Sequence, residues 1–174
     1  MRFGLMLRFG EHFTPPGRTI GWREVRELAR TAEAVGLDVL QLHGQETPES
    51  LAGLPRRVVK AVPVGPGFRV EDALRYADAA DGILLDTRPP GGAPSGGTGK
   101  AFDWSLARGV REKVGFLMLA GGLTPDNVGK ALSAVRPDAV DVSSGVESAP
   151  GRKDPVKVRA FLDAVARATA RGPA

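Results

Sequence analysis

The chain of 174 residues contains no cysteine. That single absence excludes disulfides, thiolate zinc sites, iron–sulfur clusters and a cysteine nucleophile. Histidine occurs only twice, as His12 and His43, so no histidine-built metal site is expected. No apolar run approaches the ~18 residues that a membrane helix requires. The opening Met1–Leu7 is too short and too quickly charged for a secretory signal. Charge of one sign is not concentrated anywhere. The 24 lysines and arginines and the 20 acidic residues are scattered, for a net charge of +4, and no stripe forms that would grip nucleic acid. A soluble cytoplasmic protein with neither a nucleic-acid nor a membrane partner is the expectation. Glycine (23) and proline (14), by contrast, are plentiful. They stay below the low-complexity range and read as many tight loops. The hydrophobic share of 42% is enough for one core at this length.

Short apolar runs alternate with longer amphipathic stretches. The runs Phe3–Leu7, Val39–His43, Val58–Val64, Gly82–Asp86, Gly115–Ala120 and Ala139–Val142 predict strands. Between them, Trp22, Val25, Leu28, Ala29 and Ala32 share a helical face, with Gly36 as its stop. Thr47-Pro48 opens a short helix with proline at its first position. Glu71–Ala80, Asp103–Val110, Thr124 to about Val135 and Asp154-Pro155 to near Ala170 complete the helices. Thr87–Lys100 reads as a long loop, and Arg171–Ala174 as a frayed tail. Six βα units in succession imply parallel strands covered by helices, and the nearly all-apolar strands suit a sheet buried on both faces. A doubly wound sheet and a (β/α) barrel both fit. A full eight-stranded barrel takes ~250 residues, so the fold class expected is α/β, TIM-barrel-like and truncated to about six βα units, in a single domain over residues 1–174.

Two corners have the chemistry of an anion site. In Leu119-Ala120-Gly121-Gly122-Leu123-Thr124-Pro125 a strand ends, two glycines turn the chain and a helix begins. Free N–H groups and the positive end of a helix dipole suit a phosphate there. Asp141-Val142-Ser143-Ser144-Gly145-Val146-Glu147 ends the next strand with small and hydroxyl-bearing residues. Two successive corners of this kind match the phosphate site built from the last two loops of a barrel. Ordinary glycine-rich turns without a ligand are the plain alternative. Asp86 ends an apolar strand where a barrel's active face would lie and could serve as a general acid, or simply cap the next loop. His43, at another strand end, could titrate or bind an anion, or be a hydrogen-bonded structural residue. Gly96-Gly97-Thr98-Gly99-Lys100 is not a P-loop, because Pro94 and Ala101 break the pattern and no strand immediately precedes it. No G-x-S-x-G elbow exists, so Ser143 and Ser144 are not hydrolase nucleophiles.

These motifs, in this order, resemble the phosphoribosylanthranilate isomerase family of the tryptophan pathway. The matching text runs from Leu37-Asp38-Val39-Leu40-Gln41-Leu42-His43-Gly44 through Val59-Lys60-Ala61, Leu84-Leu85-Asp86, Gly96–Trp104, Leu119–Leu123 and Asp141–Glu147 to Pro150–Asp154. The resemblance implies a small (β/α)8 barrel and an Amadori rearrangement of N-(5-phosphoribosyl)anthranilate without cofactor or metal. It implies Asp86 as the acid that protonates the ribose ring oxygen. It implies Gly121, Gly122, Ser143, Ser144 and Gly145 as the phosphate grip, with Asp141 near the sugar hydroxyls. The family's first-strand motif carries a cysteine as general base, which this chain lacks. Glu11 and His12 are the substitutes on offer, and an impaired enzyme is one outcome. Residues 1–36 form an atypical first unit that resembles the opening of luciferase-like flavin-dependent monooxygenases, ahead of isomerase-like units over 37–170. A non-catalytic phosphate-ligand binder and a flavin-binding barrel are the competing readings. An unclosed sheet exposes two edges, so a homo-oligomer or a partner completing the barrel is expected.

Overall fold

The computed structural model describes residues 4–7, 22–55, 57–87 and 102–170. Six strands form one sheet: β1 (Gly4–Leu7), β2 (Val39–Leu42), β3 (Arg57–Val64), β4 (Gly82–Thr87), β5 (Leu117–Leu119) and β6 (Ala139–Val140). Every neighbouring pair is parallel, and the spatial order is the sequence order. That order decides between the two architectures. A doubly wound sheet reverses direction at a switch point and puts helices on both faces. Here the order never reverses, and the fold is a partial (β/α) barrel.

Alternation along the strands divides the core accordingly. Leu42, Val58, Val62, Val64, Ile83, Leu85, Leu117 and Leu119 face the helices, where Val25, Leu51, Ala73, Ala107, Val110, Val128, Ala131, Val135 and Phe161 meet them. Val59, Ala61, Leu84 and Ala120 form a second, smaller cluster on the inner face. Each fully buried leucine or isoleucine in the outer layer contributes roughly 1.5–3 kcal/mol of hydrophobic stabilisation.

The helices are α1 (Trp22–Ala34), α2 (Pro48–Leu51), α3 (Val70–Leu74), α4 (Trp104–Arg111), α5 (Val128–Val135) and α6 (Pro155–Ala170). The chain leaves α1 through Gly36 at φ +80°, a left-handed conformation that glycine adopts without strain. Asp103 caps α4 by accepting from the Ser105 N–H at 3.0 Å, and Asp154 caps α6 by accepting from the Val156 N–H at 2.8 Å. Three expectations are corrected. The helix over Glu71–Ala80 is the single turn-and-a-half Val70–Leu74, followed by tight turns held by bonds such as Ala80 N–H to Tyr76 O. α5 starts at Val128, not Thr124, because Asn127 ties off the corner before it. The last strand shrinks to two residues, and beyond it a 3-10 turn (Ser144–Val146) leads into an antiparallel hairpin, β7 (Glu147–Ala149) with β8 (Arg152–Lys153). The expected loop Thr87–Lys100 lies almost wholly outside the described residues.

Candidate active site

β4 carries the acid. Ile83 and Leu85 face the helices, so Leu84 and Asp86 face inward, and Asp86 ends the inner row only 6% exposed. On β2 the same alternation sends Leu40 and Leu42 outward and His43, just past the strand, inward. Leu42 pairs with Lys60, which sets His43 level with Ala61 on β3, and Ala61 pairs with Leu84. Asp86 stands one inner-face position further on, level with Pro63, so the two side chains approach each other diagonally across β3. Across it the His43 Nε2 stands 3.8 Å from Asp86 Oδ2, within reach for an ion pair when the imidazole is protonated.

The two glycine-rich corners close on the same end of the sheet. Gly121 (φ +82°) and Gly122 (φ +65°) both take left-handed conformations. A Cβ on Gly121 would overlap the backbone nitrogen and hydroxyl of Thr87, the residue after Asp86. The first corner is thus pressed against the end of β4. Asn127 holds it in shape: its Oδ1 accepts from the Thr124 N–H at 2.8 Å and its Nδ2 donates to Gly122 O at 2.8 Å. The second corner rests on the first, since a Cβ on Gly145 would overlap the Leu123 carbonyl oxygen. Asp141 donates its N–H to Leu119 O at 2.9 Å, extending the β5–β6 pairing into the corner. Ser143 is exposed, while Asp141, Ser144 and Gly145 are half-buried. Lys153, reaching back from the hairpin, donates to Ser143 O at 2.9 Å and to Glu147 Oε1 at 2.7 Å. That bond and one from the Gly151 N–H hold the Glu147 carboxyl below its ordinary value.

Sequence reasoning passed over a third cluster. Lys60 sits mid-strand between Val59 and Ala61 and is 2% exposed. Its ammonium donates to Gly44 O and to Ala61 O, each at 2.8 Å, and pairs with Glu46 Oε2 at 3.0 Å. Glu46 Oε2 also accepts from the Gly44 N–H at 3.1 Å, and the Tyr76 hydroxyl donates to Glu46 O at 2.8 Å. Burial pushes the Lys60 ammonium below its ordinary pKa, against the pull of Glu46. The signal was in the sequence: a lone lysine in an otherwise apolar strand must find a partner. A cavity of about 500 Å³ adjoins this cluster, bordered by Lys60, Phe68, Arg75 and Tyr76. It does not reach Asp86. Glu11 and His12, the expected base substitutes, and the Gly96–Lys100 segment lie outside the described residues. No described helix is long and apolar enough to cross a membrane.

Comparison with known proteins bears on this site. The family model described as PRAI, N-(5'phosphoribosyl)anthranilate (PRA) isomerase, matches residues 23–164. N-(5'-phosphoribosyl)anthranilate isomerase of Pseudomonas putida is 51% identical over 142 residues, which are 82% of this chain and 67% of that protein. The Pelobacter propionicus enzyme is 48% identical over 135 residues, 78% of this chain and 62% of that one. The chain thus spans about two thirds of the length of the curated relatives it matches. Among solved structures, phosphoribosyl anthranilate isomerase of Thermotoga maritima superimposes with a TM-score of 0.69 at 33% identity, covering 94% of this chain and 87% of that one. These neighbours share the TIM-barrel-like α/β fold, of which this chain forms a part. The family match takes in α1, the helix set beside flavin-dependent monooxygenases on its sequence. That likeness finds no support, because the same residues belong to the isomerase match.

Proposed function

Since the chain belongs to the N-(5'-phosphoribosyl)anthranilate isomerase family of tryptophan biosynthesis, we propose that its inner rim carries the acid and the phosphate grip of that isomerisation. Asp86 protonates the ring oxygen of the phosphorylated aminosugar, the ring opens to a Schiff base, and removal of the C2 proton gives an enolamine that tautomerises to the ketone. The observation that carries this reading is the stacking at one end of the sheet. Gly121 lies against Thr87, next to Asp86, and Gly145 lies against Leu123. A phosphate held by backbone N–H groups of Gly121, Gly122, Ser144 and Gly145, with the Ser143 hydroxyl beside them, would place the sugar over Asp86. Asp141 would meet the sugar hydroxyls. His43, 3.8 Å from the acid, balances its charge as the proton leaves and returns.

A solved relative at 31% identity holds reduced 1-(o-carboxyphenylamino)-1-deoxyribulose 5-phosphate. A ligand of that class, an anionic aromatic amine on a phosphorylated sugar, is what these corners would accept. For the base we keep Glu11 and His12, the two groups that follow β1 in the chain. The whole of residues 1–174 is read as one barrel-type domain. Its edge strands β1 and β6 pair on one side only among the described residues, which favours a homo-oligomer or a partner that completes the barrel. Sedimentation at micromolar concentration tests that association, and a folded monomer would overturn it.

The function is tested by complementation of a tryptophan auxotroph lacking this step. Growth with the chain and none with Asp86→Asn is expected. Absence of growth with either, together with binding of the phosphorylated ligand, would replace the enzyme by a phosphate-ligand binder.

A further inference from the structure

We infer that the buried Lys60–Glu46 pair is a positioning device that holds His43 against Asp86. The pair acts on both sides of the gap between those two side chains. Gly44 follows His43, and both of its main-chain groups are taken: the N–H by Glu46 Oε2 at 3.1 Å, the carbonyl by Lys60 Nζ at 2.8 Å. The peptide that leaves His43 therefore has one orientation. The same ammonium donates to the carbonyl of Ala61, in the stretch of β3 between the level of His43 and Pro63, which pairs with Asp86. All three ammonium donors are committed, to Glu46, Gly44 and Ala61. Tyr76 adds the anchor to the helical layer, donating its hydroxyl to Glu46 O while Lys60 lies 5.5 Å from its ring centre.

Stability alone does not account for such a pair. Two desolvated charges are often no better for stability than apolar residues of the same size, and their best-attested use is to specify one geometry. Lys60 lies on the helix-facing side of β3 with Val58 and Val62, whereas His43 and Asp86 lie on the inner side. It therefore acts through the backbone and does not touch the substrate. The inference rests on the reading of Asp86 as the acid, and its test separates the two.

Among the described residues, the charged groups on the elements packed here include Asp86 from β4, Glu46 from the loop after β2, Lys60 from β3 and Arg75 over the Tyr76 ring. His12 and His43 are the only imidazoles, so ring-nitrogen NMR of the full chain can follow the His43 titration, with His12→Asn to assign it. The quantity measured is the change in the His43 midpoint caused by Asp86→Asn, once in the native background and once in Lys60→Met. In the native background Asp86→Asn lowers the midpoint by about one unit or more, as loss of a close opposite charge should. In Lys60→Met that change falls to less than half. Taking the difference within each background cancels the direct field of the missing ammonium. In turnover, Lys60→Met lowers kcat roughly tenfold to a hundredfold with little change in KM, and Lys60→Arg recovers part of it. An undiminished Asp86→Asn shift in Lys60→Met overturns the inference, whatever the turnover shows. If Lys60→Met does not fold, Glu46→Gln is measured in its place, and an undiminished shift there is equally fatal. A chain that turns over nothing but shows the coupling lost would refute the isomerase reading and leave the positioning role standing.

Discussion

At the N-terminal ends of the strands, carboxylates serve the backbone of the neighbouring strand. Asp81 accepts from the Val58 N–H at 2.8 Å and Asp138 from the Leu117 N–H at 2.8 Å. Arg111 braces the second of these, bonding Asp138 at 3.2 Å and the carbonyls of Arg136 and Val114. At the opposite ends the acidic groups meet side-chain cations or imidazole: Asp86 beside His43, Glu46 on Lys60, Glu147 on Lys153. The same residue types thus do two jobs. Along the lower rim an Asp one residue before its strand replaces a missing ladder partner and fixes where pairing begins. Along the upper rim, where strands hand over to loops, the acids meet charged or protonatable side chains and can respond to a ligand or a proton. Shape held below and charge presented above is the division of labour expected of a barrel-type sheet.

The largest effect that would sharpen this contrast is at Asp86. Asp86→Asn is expected to lower kcat by about 10²–10⁴ with the melting temperature within a few degrees of the native chain. A comparable loss of stability would erase the distinction between the rims. Next comes the join between the two corners. Gly145→Ala must push the Leu123 carbonyl aside, costing about 1–3 kcal/mol and weakening inorganic phosphate binding, both readable by denaturation with and without phosphate. Of similar size in stability but silent in catalysis is Asp138→Ala on the lower rim. It strands the N–H of the fully buried Leu117 and should cost about 1–3 kcal/mol, leaving kcat and KM unchanged. A kcat deficit there would mean the lower rim also shapes the site. The smallest is at Glu147. Its carboxyl is held below its ordinary 4.5 by Lys153 and the Gly151 N–H, so its contribution is present above that pH and is lost as the pH falls through the folded value. Glu147→Gln should therefore narrow its stability gap to the native chain on acidification below about pH 4.5, more weakly at high salt.

Much of this was legible before any fold was known. Val39–Leu42 and Gly82–Thr87 announce strands because nearly all their residues are apolar, as burial on both faces demands. Asp86 stands out because it ends such a run, and the Gly121-Gly122 corner because two glycines between a strand end and a Thr-Pro helix start leave backbone N–H groups open to an anion. The hairpin Glu147–Lys153 was not legible, since its strands are short, exposed and polar and have no apolar alternation to betray them. The role of His43 is not legible locally, because nothing near it in the chain says that it will face an aspartate 43 positions later. The role of Lys60 is hidden for the same reason: its partner Glu46 lies in another loop, and only strand pairing brings the two together.

Sequence alone determined the order of elements, the apolar strands and the small residues at the last two corners, because each follows from local sterics and periodicity acting over a few neighbours. Tertiary structure decided that the strands run 1 to 6 without reversal, that Gly121 and Gly145 press their corners together beside Asp86, and that Lys60 grips both Gly44 and Ala61. Those are contacts between segments far apart in the chain, and their geometry exists only once the sheet has set its register.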